Sequence, residues 1–247
     1  MIHPIVLYGD PILRRRAGPV TRFDEELSRL AADMVETMYA ADGVGLAAPQ
    51  IGRPLRLFVA LEVGEAEDGD EAREGQVMGE APAGADVGGA PAVDAGGSTA
   101  GAEVADDEGE ELTPEQKRRA WGVVREHVLV NPEVVALEGR QFGRDGCLSL
   151  PGLSVEDVPR AQRVVIDYQD LRGERHRLEA EGYFAHVLQH EYDHLEGVLF
   201  FDHLPADRRE RFLEENRQLL AEWQREARAR AKERERAERG RPSASRT

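Results

Sequence analysis

From Asp24 to Ala41 the apolar side chains recur every three or four residues, with Leu27, Leu30, Ala31, Met34, Val35 and Met38 on one face. That spacing predicts an amphipathic helix. Thr21 or Asp24 fits its N-cap, and Asp42-Gly43 its stop. A Gly-punctuated loop over 43–52 follows, then a short strand over 55–61. Residues 112–121 fit either the start of a helix or a linker. Residues 127–130 read as a strand that ends at Asn131-Pro132. The segment 144–152 has a short apolar core with Gly and Pro at its ends. Residues 163–168 and 174–178 flank Asp170-Leu171-Arg172-Gly173 and predict a hairpin. Tyr183 to Leu195 contains neither Gly nor Pro and predicts a helix. A second helix is expected from Ala206 to about Arg236, with Phe212, Leu213, Leu219, Leu220 and Trp223 as its apolar positions. Beyond about Arg225 the stripe fades, so that end should project into solvent. The fold class expected is α+β: small, mostly antiparallel sheets packed around a central helix, with a C-terminal helix.

Charge divides the chain. It has 247 residues and a formal net charge of −16, but residues 62–111 hold sixteen acids and one Arg. The same stretch has no Leu, Ile, Phe, Tyr or Trp, and eleven of the 25 glycines. Too little apolar surface is available there to offset chain entropy, so a disordered acidic insert is expected. Outside it, charge is nearly balanced. The expected organisation is a domain over 1–205 interrupted by the insert, then a charged helix and tail over 206–247. One Cys excludes a disulfide framework and suits a reducing compartment. No apolar run approaches the roughly 18 to 20 residues of a membrane span, and the N-terminus lacks the pattern of a secretory signal. A cytoplasmic protein with no DNA or membrane partner is expected.

The chemistry starts at His190-Glu191-Tyr192-Asp193-His194. On a helix the two His stack one turn apart and can reach one metal ion, with Glu191 beside it to take a proton from water. A third ligand decides the kind of site. A third His six residues on is excluded, because Phe200 stands there. Glu214 or Glu215 would fit a thermolysin-like protease, and Cys147 is the other candidate. Spacing alone leaves that choice open.

Three segments together resemble the peptide deformylase family: Gly43-Val-Gly-Leu-Ala-Ala-Pro-Gln50, Gly146-Cys-Leu-Ser149 and Gln189-His-Glu-Tyr-Asp-His194. Asp10-Pro-Ile-Leu-Arg14 and Glu196-Gly-Val-Leu-Phe200 add to the likeness, which covers about 1–61 and 122–205. The resemblance implies a metal held by Cys147, His190 and His194 with a fourth position open to water. Fe(II) is the expected native ion, with Zn(II), Ni(II) or Co(II) able to replace it. It implies hydrolysis of the N-formyl group from the initiator Met of new polypeptides, with N-formylmethionyl peptides as substrates. Glu191 would move the proton, while the Gln50 side chain and the Leu148 backbone N–H stabilise the oxyanion. Gly43 and Gly45, lacking Cβ, would let the substrate backbone approach, with Gly45 bonding it; Gly146 would also bind substrate, and Val44, Tyr183, His186 and Val187 would wall the Met side chain.

Two departures from the family pattern stand out. Asp145 replaces the usual Glu before Gly-Cys-Leu-Ser, and is expected to keep the pairing with Arg160 that the family makes. Val155 stands where some members carry a substrate-contacting Arg. Two other readings remain beside the resemblance. One is a zinc-dependent endopeptidase on the same helix. The other is a ribosome-associated binding protein, for which the tail offers 13 basic and 9 acidic residues from Asp207 onward.

Overall fold

The structure, a computed structural model, describes residues 1–64 and 112–239. Helix α1 spans Glu25–Ala40. Asp24 is its cap, accepting from the N–H groups of Glu26 and Leu27 at 3.1 Å each. Strand β1 is Gly45–Ala47, followed by a 3-10 turn over Ala48–Ile51. Strand β2 is Leu57–Val63. It takes up Glu62 and Val63, which the sequence reading gave to the acidic insert; residues 65–111 of the insert lie outside the described residues. Helix α2, Pro114–Ala120, decides between the helix and linker readings. Thr113 and Gln116 close a reciprocal capping box at its start.

Strand β3 runs from Val123 to Glu138 and does not stop at Asn131-Pro132 as expected. Asn131 adopts φ 49°, and its side-chain amide bonds the backbone of Val20 twice, at 2.7 and 2.8 Å. The register with the next strand slips between Val130 and Glu133. Pro132, which has no N–H to give, therefore falls in a bulge where no ladder bond is lost. Here β3 changes partner, from β2 before the bulge to the strand Arg163–Gln169 after it.

Strands β4 (Gln141–Gly146) and β5 (Ser154–Arg160) form a separate two-stranded sheet that periodicity did not predict. Strands β6 (Arg163–Gln169) and β7 (Arg175–Glu181) make the expected hairpin. Asp170 shapes its turn by accepting from the N–H groups of Arg172 and Glu174. The larger sheet has the order β1-β2-β3-β6-β7, antiparallel throughout, with β1 at one edge.

Helix α3, Gly182–Glu196, lies against one face of that sheet. Alternation along β2 explains the layering. Phe58 and Ala60 join Ala185, Leu188 and Leu195 of α3 in one core cluster. Leu57, Val59 and Leu61 join Leu27, Met34 and Met38 of α1 in another. Each large side chain buried this way contributes about 1.5–3 kcal/mol.

The single C-terminal helix expected from Ala206 is two: α4, Ala206–Glu215, and α5, Arg217–Arg239. At the break, the Asn216 side chain donates to the Phe212 carbonyl at 2.8 Å and competes with the helix backbone. Phe212, Leu220 and Trp223 are buried with Leu150, Val158, Phe200 and Phe201 in a third cluster. Leu219, read as apolar stripe, is instead 37 % exposed. No described helix is long and apolar enough to cross a membrane.

Candidate active site

The α3 helix brings His190 and His194 one turn apart, both buried, with their Nε2 atoms 3.2 Å apart. The turn between β4 and β5 brings Cys147 to them, its Sγ 3.2 Å from His194 Nε2. All three donor atoms lie within 4.8 Å of one another. His190 Nδ1 faces the Asp145 carboxylate at 2.7 Å. This contact places the proton on Nδ1 and turns the Nε2 lone pair inward. Neighbouring imidazoles also draw the Cys147 thiol down to about 5, against burial that pushes it up. Three electron-rich donors pointed at one another need a cation between them. Bonds of about 2.0–2.1 Å to nitrogen and about 2.3 Å to sulfur set tetrahedral edges of about 3.3–3.6 Å, close to the observed spacing. The residues fit a metal ion.

Glu191 follows directly on the same helix. It is 3 % exposed, and its Oε2 has no hydrogen-bond partner among the described residues. Burial pushes its carboxyl up to about 7. Gly45 makes room for it: a Cβ there would fall 2.3 Å from Glu191 Oε1. The sequence reading gave this glycine to the approach of a peptide; its missing side chain serves Glu191 as well. Gln50 is held with its Oε1 on the Ala47 N–H at 2.7 Å, which turns Nε2 toward Cys147 Sγ at 3.5 Å. The family-type pairing of Asp145 is kept despite its shorter side chain, at 2.7 Å from Arg160 Nη2.

A cavity of about 560 Å³ opens onto these groups. Val44, Gly45, Gly146, Tyr183, His186 and Val187 all line it, as do Gln50, Cys147, Leu148 and Glu191. Val155 does not; it packs with the aromatic cluster. Arg144 does, with Nε 3.1 Å from Ser154 Oγ, and sequence reasoning missed it. Also missed was the extension of the Arg160 network, in which Arg160 pairs with Asp193 and Asp193 with His203. Those contacts join residues 10 to 33 positions apart, and no local signal announces them. Glu214 and Glu215, the protease candidates for third ligand, are exposed on α4 and are not in the donor cluster.

The sequence profile described as polypeptide deformylase matches residues 2–210. The chain belongs to the polypeptide deformylase family. A peptide deformylase of Thermus thermophilus is 44 % identical over 233 residues, covering 94 % of this chain and 98 % of its own. The crystal structure of a peptide deformylase from Thermus thermophilus superposes with a TM-score of 0.66 at 42 % identity, covering 92 % of this chain and 99 % of that one. The peptide deformylase structure from Thermotoga maritima follows at TM-score 0.57 and 33 % identity, covering 83 % and 99 %. As a deformylase, the enzyme is a metal-dependent hydrolase that removes the N-formyl group from nascent polypeptides. Neither the endopeptidase nor the binding-protein reading is favoured.

Proposed function

We propose that Cys147, His190 and His194 hold the catalytic cation, Fe(II) in the native enzyme with Zn(II), Ni(II) or Co(II) able to replace it, and that Glu191 carries the proton. The convergence of three donor atoms beside a buried, unpartnered carboxylate carries this reading. A divalent cation at this position supplies Lewis-acid polarisation of the formyl carbonyl and a lowered pKa for water. Glu191 accepts the proton of the attacking water and delivers it to the leaving amine. Gln50 Nε2 and the Leu148 backbone N–H donate to the oxygen on which charge develops.

The substrate is an N-formylmethionyl peptide lying along β1, which as an edge strand offers unpaired backbone groups, with Gly45 making the bond. Gly146, at the end of β4, lines the same cavity and is assigned to substrate binding. Val44, Tyr183, His186 and Val187 wall the methionine side chain in the cavity. Residues 1–205, less the acidic insert, form the catalytic unit, which works in the cytoplasm.

The segment from Ala206 is an appended arm, and α5 supports a contact with the ribosome: Arg225, Arg228, Arg230 and Lys232 are basic positions along it, all four exposed. Metal analysis of anaerobically purified protein tests the ligand assignment. Iron should be found at about one per chain and be lost in Cys147→Ala. Gln50→Ala should keep the metal and lose about 10²–10³ in turnover. Retention of metal by Cys147→Ala would remove the thiolate from the site.

A further inference from the structure

Asp145 is one methylene shorter than the Glu that the family carries, yet it keeps the pairing with Arg160 and reaches His190 as well. Its Oδ1 lies 2.7 Å from His190 Nδ1, and its Oδ2 lies 2.7 Å from Arg160 Nη2. A third group closes on the same carboxylate: His186 Nε2, 3.1 Å from Oδ2. His186 stands one turn before His190 on α3, so both rings hang over the same side of the helix. It is 4 % exposed, and its Nε2 makes no aligned hydrogen bond to any described group. The contact with Asp145 is therefore electrostatic and steric, not a well-directed bond.

The ring is confined from behind. A Cβ on Gly143 would lie 3.0 Å from His186 Nδ1 and 3.2 Å from its Cε1, tighter than ordinary van der Waals contact. Gly143 sits two residues before Asp145 on the same strand, β4. The backbone that carries the carboxylate thus also seats the ring that presses on it.

We propose that His186 is a positioning residue that compensates for the shortened Asp145. It occupies the space a longer carboxylate would need, and fixes Oδ2 so that Oδ1 remains on His190. His190 then keeps the tautomer and orientation a metal ligand requires. This inference rests on reading Cys147, His190 and His194 as the cation site. It assigns His186 a task beyond walling the methionine cavity, and it makes Asp145, His186 and Gly143 one interdependent set.

A double-mutant cycle on cobalt-loaded protein tests it. The readouts are the cobalt dissociation constant, the visible spectrum, and kcat and KM for formate release, with circular dichroism to check folding. His186→Leu should weaken cobalt binding about 10-fold and perturb the spectrum. His186→Gln, which keeps a polar side chain in that space, should bind cobalt within about threefold of the unmodified protein. Asp145→Glu should also weaken binding, because the longer side chain meets the ring. The double variant Asp145→Glu with His186→Leu should return to within about threefold, since each change relieves the other. Losses that multiply in the double variant would overturn the compensation. So would a His186→Leu protein with unchanged cobalt affinity and spectrum and only a raised KM, which would leave His186 a cavity wall. Failure of the unmodified protein to bind cobalt, or retention of cobalt by Cys147→Ala, would overturn the cation-site reading itself and the compensation with it.

Discussion

Helix α3 buries nine of its fifteen residues, and five of those nine are polar: His186, Gln189, His190, Glu191 and His194. Among the described side chains of α5, Leu220, Trp223 and Ala227 are buried, while most of its Arg and Glu face solvent. A polar group in water is replaceable at little cost. A buried one is held by particular partners, and removing a partner leaves a charge stranded. The two helices teach where this sequence is constrained. Around α3 polar residues are tied to partners from other elements: Gln189 to Ala161, His190 to Asp145, Asp193 to Arg160. Along the outer part of α5 the ties are local, such as Arg230 with Glu226 one turn away.

The sharpest break in this contrast is Arg160→Met. Its side chain is 2 % exposed between Asp145 and Asp193, so its loss takes the guanidinium from two carboxylates and leaves them only neighbouring imidazoles. Destabilisation of about 3–5 kcal/mol is expected, read from the urea midpoint. A shift under about 1 kcal/mol, the size of a surface pair, would mean that solvent reaches the site and the burial argument fails.

Gly45→Ala comes next and separates geometry from stability. Its methyl group would land on Glu191 Oε1, so turnover should fall about 10²-fold through misplacement of the carboxylate. Bound metal should be retained. Activity within about threefold of the unmodified enzyme would show that Glu191 moves freely, contrary to its buried, confined position.

The acid limb of the pH profile follows from Glu191. Burial holds its pKa at about 7, and only the ionised form can accept a proton. The kcat/KM of metal-loaded enzyme should therefore fall as pH drops through that region. Positive charge nearby favours the ionised form and moves the limb lower, never higher. A limb that survives unchanged in the residual activity of Glu191→Gln would belong to another group.

The smallest effect is expected at the outer end of α5. Replacing Arg228, Arg230 and Lys232 together by Ala should change stability by no more than about 0.5 kcal/mol and leave peptide turnover unaltered. If the arm docks on the ribosome, the same triple variant should co-sediment with ribosomes less, and the salt dependence should flatten. Equal co-sedimentation would remove that role from these three side chains.

Much of the site was legible because its chemistry is written locally. His190, Glu191 and His194 sit within five residues on a helix whose limits Tyr183–Leu195 the pattern placed within one residue. The hairpin of β6 and β7 and helix α1 were legible for the same reason, a period that matches the element. What the pattern hid depends on distant partners. β3 passes Asn131-Pro132 because Asn131 is bonded to Val20 and Gln169, neither of which is near it in sequence. β4 and β5 are short and rich in charged residues, and their ladder forms with each other across a turn and not with the larger sheet. The split of α4 from α5 turns on one side-chain amide at Asn216. Asp145 was read as the partner of Arg160 alone. Its hold on His190 and its contact with His186 emerge only when β4 is laid against α3.

The most direct test of the account is formate release from a formyl-Met-Ala-Ser peptide by anaerobically purified protein, run beside Glu191→Gln with bound metal quantified in both. Steady release by the unmodified enzyme is expected, with a loss of about 10²–10⁴ in the variant at equal metal content. Undiminished release by metal-loaded Glu191→Gln would contradict it, because the buried carboxylate would then have no part in moving the proton.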